Sequence, residues 1–120
     1  MSEQILKLRK KTPLKAGDII EVTQFMDFVL PEGETEFPEK FEWNDYDKEY
    51  SMNYSFNNDF ICGYDFRMDK DANECNGDFE YIIGVDIDEM FPEIKEYELF
   101  DVETENPESE SAKIRILSLH

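Results

Sequence analysis

The densest run of potential metal ligands is the polar segment 69–80. Asp69, Asp71, Asn73 and Glu80 stand at positions 1, 3, 5 and 12 of a calcium-loop pattern, which supplies several of the roughly six to eight oxygens that calcium needs. Position 6, where such a loop needs glycine for its sharp turn, is Glu74. The flanking segments alternate like strands rather than helices. We therefore interpret 69–80 as a polar hairpin loop, with weak calcium binding as the alternative, and predict neither a metal nor a cofactor.

Two groups of side chains are candidates for binding a partner protein. In the first, aromatic and acidic residues alternate around Trp43, so that aromatic anchors would be flanked by carboxylates for the partner's Lys and Arg. The simpler alternative is that these aromatics cover the core beneath a loop. The second group is an acidic cluster after a predicted strand, which could also hold Mg²⁺ or act as an acid/base pair. The candidate residues are Glu39, Glu42, Trp43, Asp45, Asp47, Asp86, Asp88, Glu89 and Glu93.

The sequence lacks the common signatures of catalysis and nucleotide binding. It contains no GxxxxGK[ST], no GxGxxG, no HExxH and no paired CxxC. The only histidine is His120, at the end of the sequence, where chains usually fray. Cys62 and Cys75 are interpreted as ordinary intracellular thiols, with a disulfide between them, acting as a redox switch, as the alternative. We predict a protein without catalytic residues; the alternative is acid/base or metal-assisted chemistry by paired carboxylates.

Charge is the strongest compositional signal. The chain has 30 Asp and Glu against 12 Lys and Arg, a net charge of −18 in 120 residues. Residues 21–111 hold 28 of the acids and five of the bases, which leaves −23 there, while both ends are basic. Phosphate contacts need Lys and Arg, so direct nucleic-acid binding by residues 21–111 is not expected. An anionic membrane surface would repel most of the molecule, and no apolar run is long enough to span a membrane.

Apolar residues recur mostly with a period of two, which predicts strands. We predict a mainly β fold, or α+β with minimal helix: one antiparallel sheet in a single small domain, 1–120, with the N- and C-terminal strands as candidate neighbours. Residues 34–48 are predicted to be irregular or a short edge strand, and 88–95 could form one helical turn interrupted at Pro92. The predicted strands are 5–9, 19–22 with an extension to 30, 50–56, 60–66, 78–87, 97–102 and 113–119.

One part of the chain resembles a known family. The sequence DFEYIIGVDI at 78–87, preceded by CGYD at 62–65 and followed by FPE at 91–93, is similar to a strand pair of the GyrI-like effector-binding domains. The likeness covers about 30 of the 120 residues, and the helix-containing repeat of that family is not visible. It implies a β-domain that binds small, often cationic, ligands. No ligand-binding residue can be transferred from it.

These observations predict a cytoplasmic, non-enzymatic inhibitor that presents a nucleic-acid-like anionic surface to a basic groove, of the anti-restriction or anti-CRISPR type associated with phages. The expected partner is a basic protein, either a nucleic-acid-binding enzyme or a toxin, with no direct contact to nucleic acid or membrane. The alternatives are an immunity or antitoxin-like binder of a basic toxin, a small-ligand-binding β-domain, and a charge that serves solubility alone. A charge of −18 exceeds the magnitude of roughly 2–8 that suffices for a small domain.

Overall fold

Alternation of buried and exposed side chains builds most of the secondary structure. The computed structural model describes residues 3–4, 8–71, 78–106 and 108–120. In the third strand, Ile20, Val22, Gln24 and Met26 are buried and their neighbours are largely exposed, as expected for a sheet with one covered face. The elements are β1 Glu3–Gln4, β2 Leu8–Arg9, β3 Ile19–Val29, β4 Asp47–Phe56, β5 Asp59–Met68, α1 Phe79–Met90, β6 Ile94–Glu103 and β7 Ser109–Leu119, with a 3-10 turn at Trp43–Asp45.

Within the described residues, the strands form one antiparallel sheet in the order β1-β5-β4-β3-β7-β6, and β2 also pairs with β5. The helix α1 packs across one face, which we call the inner face, and residues from both layers form a single buried core. The predicted fold class is therefore confirmed: a small, mainly β domain with minimal helix. The segment 34–48 was predicted to be irregular or a short edge strand, and residues 34–46 are irregular apart from the short 3-10 turn, whereas 47–48 begin β4.

The terminal strands are not neighbours, which corrects the expectation from their shared basic pattern. Leu8 and Arg9 pair with Gly63 and Cys62 of β5, whereas β7 lies between β3 and β6. Opposite-charge pairs across strands are worth only about 0.2–1 kcal/mol, so they do not determine strand order. The buried aliphatic side chains Ile114 and Ile116 favour the centre of the sheet for β7. Residues 5–7 of the predicted first strand lie outside the described residues.

The predicted strand at 78–87 is wrong, because residues 79–90 form α1. Asp78 caps the helix, and its Oδ1 accepts a hydrogen bond from the backbone N–H of Tyr81 at 3.1 Å. The buried positions recur at intervals of three and four, as one face of a helix requires. The apolar run in the middle of this segment suggested a buried strand because short apolar runs suit either structure. The buried helix residues are Phe79, Ile82, Ile83, Asp86, Ile87 and Met90.

A tight hairpin connects β4 to β5. Asn57 and Asn58 both adopt left-handed backbone conformations, with φ of 53° and 63°, as in the two-residue turns that match the twist of paired strands. Further along β5, a Cβ on Gly63 would lie 2.7 Å from Asn53 Oδ1 and 2.7 Å from the ring of Phe60. The same Cβ would lie 2.9 Å from the backbone oxygen of Met52, which cannot rotate away as the two side chains can, so this position favours glycine.

The strand β6 lies at one edge of the sheet. Its pairing with β7 shifts register at three places: Ile94/Glu96, Glu96/Tyr97 and Phe100/Glu103. Asp101, inside the last shift, has a φ of 50°. Charged side chains and bulges of this kind reduce the tendency of an edge strand to pair with another molecule. The edge is therefore irregular and acidic.

The helix α1 and the strand predicted for 78–87 differ in how they would bury Tyr81 and Ile83. A strand would place Tyr81 and Ile83 on the same face, but in α1 Tyr81 is 60 % exposed and Ile83 is fully buried. We expect Ile83→Ala to lower the free energy of unfolding by about 2–5 kcal/mol, and Tyr81→Ala to change it by no more than about 0.5 kcal/mol. Urea denaturation followed by circular dichroism measures both. Similar losses in the two variants would contradict the helix.

Candidate partner-binding surface

Five aromatic rings from the end of β3 and the loop that follows it pack together. We call Phe28, Phe37, Phe41, Trp43 and Tyr46 the aromatic lobe. Phe28 is the centre, with ring centroids 4.8 Å from Trp43 and 5.2 Å from Phe41, and Phe37 stacks on Phe41 at 5.2 Å. Such contacts contribute beyond simple burial. They hold an otherwise irregular loop against the end of the sheet.

The lobe remains substantially open to solvent. Tyr46 is buried, but Phe37, Phe41 and Trp43 are 38 %, 37 % and 44 % exposed. Partial burial agrees with the interpretation that these aromatics cover the fold beneath a loop, and the role of the exposed rings in binding a partner stays a prediction. One side of the cluster covers the end of the sheet, and the other presents aromatic surface to solvent.

Local hydrogen bonds fix the backbone around Trp43. The 3-10 turn begins after Glu42, whose backbone N–H donates to Asp45 Oδ2 at 2.9 Å, and the N–H of Asp45 donates to the backbone oxygen of Glu42 at 3.0 Å. Glu39, Glu42 and Asp45 are exposed. The turn thus fixes the backbone from Glu42 to Asp45, the acidic residues before and after Trp43 in the sequence, and holds the Asp45 carboxylate in a defined position.

Asp47, the first residue of β4, differs from the other predicted residues near Trp43. Its Oδ2 accepts a hydrogen bond from Arg67 Nη2 at 3.0 Å, and its Oδ1 accepts one from the backbone N–H of Lys70 at 2.9 Å. These two hydrogen bonds, the one from Lys70 foremost, lower the pKa of the Asp47 carboxyl. Asp47 therefore connects β4 to the end of β5, and its carboxylate is already paired with Arg67.

The second predicted group does not form one surface. Asp86 is fully buried in the core, so it cannot belong to an exposed patch. Asp88 and Glu89 are exposed on α1. Glu93 follows the helix and is held by Arg9, whose two terminal nitrogens each bond one of its carboxylate oxygens at 2.7 Å. The expected cluster is dispersed because a helix turns its side chains to different sides, whereas a strand would have aligned alternate ones.

Asp86 connects the helix to the sheet. Tyr64 Oη donates to the carboxylate, 2.8 Å from Oδ2 and 3.0 Å from Oδ1, and Tyr54 Oη also donates to Oδ2. Burial, followed by the neighbouring charge of Asp86, raises the pKa of both tyrosines. A buried carboxylate is costly unless hydrogen bonds satisfy it. Asp86 is thus a core residue that sequence reasoning placed on the surface.

Arg9 joins the edge strand β2 to the far end of the helix. Besides Glu93, its guanidinium donates to the backbone oxygen of Met90 at 2.8 Å and lies 4.4 Å from the centroid of the Phe91 ring. The hydrogen bonds from Arg9 lower the pKa of the Glu93 carboxyl. A second arginine, Arg115 of β7, combines the same two contacts with Phe100 at 4.4 Å and Glu98 at 2.7 Å. Sequence reasoning did not identify either arrangement.

The structure divides the charge into two unequal halves. The paired residues Thr23, Asn53, Gly63 and Ser111 form a row across the sheet. From residue 8 onward, we call the described residues at or beyond this row, on the side of the aromatic lobe, the acidic half; Asp78, which interacts with Glu110 electrostatically, places the start of α1 there. It holds 18 carboxylates and four bases, a net −14, and the other half holds ten carboxylates and seven bases, a net −3. The acidic half comprises 23–53, 63–71, 78–80, 103–106 and 108–111.

Other candidate sites are limited by what the structure describes. Residues 72–77 of the calcium-like loop, including Cys75, lie outside the described residues. Among those described, no three His, Cys, Asp or Glu side chains are grouped to hold a metal ion, and no helix is long and apolar enough to cross a membrane.

Cys62 carries a buried thiol, its Sγ 3.9 Å from Met90 Sδ. A recess of about 510 Å³ beside the β6–β7 irregularity is lined in part by Glu21, Asp101 and Lys113.

Comparisons with protein-family models, with curated proteins and with solved structures give no match. The resemblance to the GyrI-like effector-binding domains also loses its structural basis. Its central element, 78–87, was compared with a strand, and in this protein it forms α1 apart from the capping residue Asp78.

The buried tyrosines make stability depend on pH in the alkaline range. Unfolded tyrosines ionise near pH 10, and the raised pKa values of Tyr54 and Tyr64 keep them protonated in the folded state. The unfolded state then loses protons first, so stability is fully present below about pH 10 and falls above it. We expect Tyr54→Phe to reduce the slope of this fall by about 1.4 kcal/mol per pH unit. Urea unfolding between pH 8 and 11.5 measures the slope.

The matched control is Tyr81→Phe, which removes a hydroxyl from an exposed ring on α1 and should leave the alkaline slope unchanged. Tyr54→Phe also removes a hydrogen bond to Asp86, so a lower stability at pH 8 is expected and does not bear on the slope. An identical slope in Tyr54→Phe and in the wild-type chain would contradict the role assigned to this tyrosine.

Proposed function

We propose that this chain is a non-enzymatic acidic binding protein whose acidic half occupies a basic, nucleic-acid-binding groove of a partner protein and thereby inhibits it. The observation that carries the proposal is the division of charge, −14 in one half against −3 in the other. A charge that served only solubility would have no reason to concentrate at one end. Concentration of one sign also opposes folding through self-repulsion, so this end is where a cationic partner would relieve the most repulsion.

The charge density supports nucleic-acid mimicry. The long axis measures 48 Å, so −18 corresponds to about one net charge per 2.7 Å, against about 1.7 Å in duplex DNA. The acidic half carries −14 of this charge, so its charge density is above the average of the molecule. The other two dimensions are 26 Å each, which gives the molecule an elongated shape suited to a groove.

The contacts we assign to the partner come from the lobe and the neighbouring loop. Glu39, Glu42, Trp43 and Asp45 are exposed at the tip of the acidic half. The loop between β6 and β7 lies alongside, because the N–H of Met26 in β3 donates to the backbone oxygen of Glu108. Asp88, Glu89 and Glu93 belong to the less charged half. The proposed interface is therefore narrower than the sequence predicted, and it excludes Asp86.

The two halves can be compared directly with variants of equal charge change. We expect Glu34→Gln/Glu36→Gln/Glu39→Gln in the acidic half to weaken partner binding at least tenfold at low salt, because each removes an attraction to the basic groove. Asp88→Asn/Glu89→Gln/Glu96→Gln in the other half should change it less than threefold. The partner is captured from a host lysate on the immobilised chain, purified, and titrated by calorimetry at two salt concentrations.

Three further results would agree with the proposal. The purified partner should bind duplex DNA or RNA, nucleic acid should displace it from the chain, and the affinity should fall as salt increases. Simultaneous binding of nucleic acid and this chain by the partner, or an affinity insensitive to salt, would contradict the mimicry. Equal effects of the two triple variants would contradict the assignment of the acidic half.

A further inference from the structure

The aromatic lobe exposes more apolar surface than its role in the fold requires. Phe37, Phe41 and Trp43 each contact Phe28 with one part of the ring, yet all three remain more than a third exposed. Exposed apolar groups bordered by charge are typical of interaction sites. Carboxylates alone could satisfy a cationic groove, so the rings need a separate explanation.

We propose that the aromatic lobe is a docking surface for arginine side chains of the basic partner, with a guanidinium stacked on Trp43 and bonded to the carboxylates that flank it. This inference rests on the proposed function and adds the chemical class of the partner's contact residues. The occupant is an arginine-bearing protein surface, rather than one rich in lysine or a second copy of this chain.

The chain itself binds guanidinium groups in this way at two places. Arg9 lies 4.4 Å from the Phe91 ring centroid while Glu93 accepts two hydrogen bonds from it. Arg115 lies 4.4 Å from the Phe100 ring centroid while Glu98 accepts one at 2.7 Å. In both, one aromatic face and one nearby carboxylate act together.

Around Trp43 the same two kinds of group occur on exposed residues. Its indole is 44 % exposed, Glu42 precedes it directly, and Asp45 is held in place by the backbone N–H of Glu42. Between residues 31 and 47 there are seven carboxylates and a single base, Lys40, so the surroundings attract cations strongly. A tryptophan face is the strongest of the aromatic partners for a cation.

Arginine fits this surface better than lysine for two physical reasons. Its guanidinium is planar and stacks on aromatic faces. Because it is weakly hydrated, it loses less hydration free energy than an ammonium group when it leaves water. It also offers two parallel N–H groups to one carboxylate. A lysine ammonium has the same charge, but it is held mainly by its electrostatic attraction to the carboxylates. Charge-matched peptides of the two residues therefore separate stacking from electrostatics.

The test compares nona-arginine with nona-lysine, each titrated by calorimetry into the full chain at low salt. We expect nona-arginine to bind about two- to fivefold more tightly than nona-lysine, which is the gain in affinity expected from one exposed cation–π contact. Trp43 is the only tryptophan, so its fluorescence reports directly on the lobe and should change with nona-arginine at saturation. Equal affinities, or an unchanged emission, would overturn the inference.

Three variants locate the effect. Trp43→Leu keeps apolar volume but removes the aromatic face, and should abolish the preference for arginine while leaving binding of nona-lysine within twofold. Trp43→Phe keeps a ring and should retain part of the preference, which also shows that a substituted lobe still folds. Tyr81→Leu removes an exposed aromatic ring elsewhere in the acidic surroundings of α1 and should leave the preference intact.

The outcomes separate this inference from the proposed function. Salt-dependent binding of both peptides with no arginine preference would overturn the arginine surface and leave the proposed function standing. No salt-dependent binding of either peptide would overturn both. A dimer of the wild-type chain in sedimentation, dissociated by Trp43→Leu, would overturn the arginine surface in favour of a second copy on the lobe.

Discussion

The packing of one short helix against the inner face of the sheet is the contact on which the rest of the structure depends. A sheet with one uncovered apolar face is not stable alone, and α1 supplies the second layer. Asp86 sits inside this contact with Tyr54 and Tyr64 as donors. A satisfied buried carboxylate adds little stability relative to an apolar side chain, but it requires both hydroxyls to be reached at once. It therefore restricts the rotation and position at which the helix can dock.

The sheet could largely be predicted from the sequence, whereas the helix could not. Strands such as β4 alternate Met52 and Tyr54 with small polar residues. This alternation can be read from the sequence without knowing which strand is the neighbour. In α1, Gly84 and Val85 weaken the helical preference, and the polar Asp86 interrupts the apolar stripe. The spacing of Phe79, Ile82 and Ile83 was the available signal. This signal was not decisive, because a short apolar run fits the period of a strand as well as the period of a helix.

The candidate surface was predictable in part for a similar reason. The segment around Trp43 stands out locally because aromatics and carboxylates are neighbours in sequence, and the structure keeps them together. The cluster from Asp86 to Glu93 depended on the secondary structure assigned to it, and it dispersed when that assignment changed. Strand order, the pairing of Arg9 with Glu93 and the division of charge arise from contacts between residues far apart in the chain. No local pattern encodes them.

The irregular edge of the sheet has a consequence for the behaviour of the molecule in a crowded solution. A straight outer strand offers a regular row of backbone donors and acceptors that an extended segment of another chain can match. In β6 the three register shifts and the left-handed Asp101 interrupt that row. An incoming strand would find matching groups over only a few residues at a time. The protein can thus keep an uncovered edge without offering a template for fibrous growth.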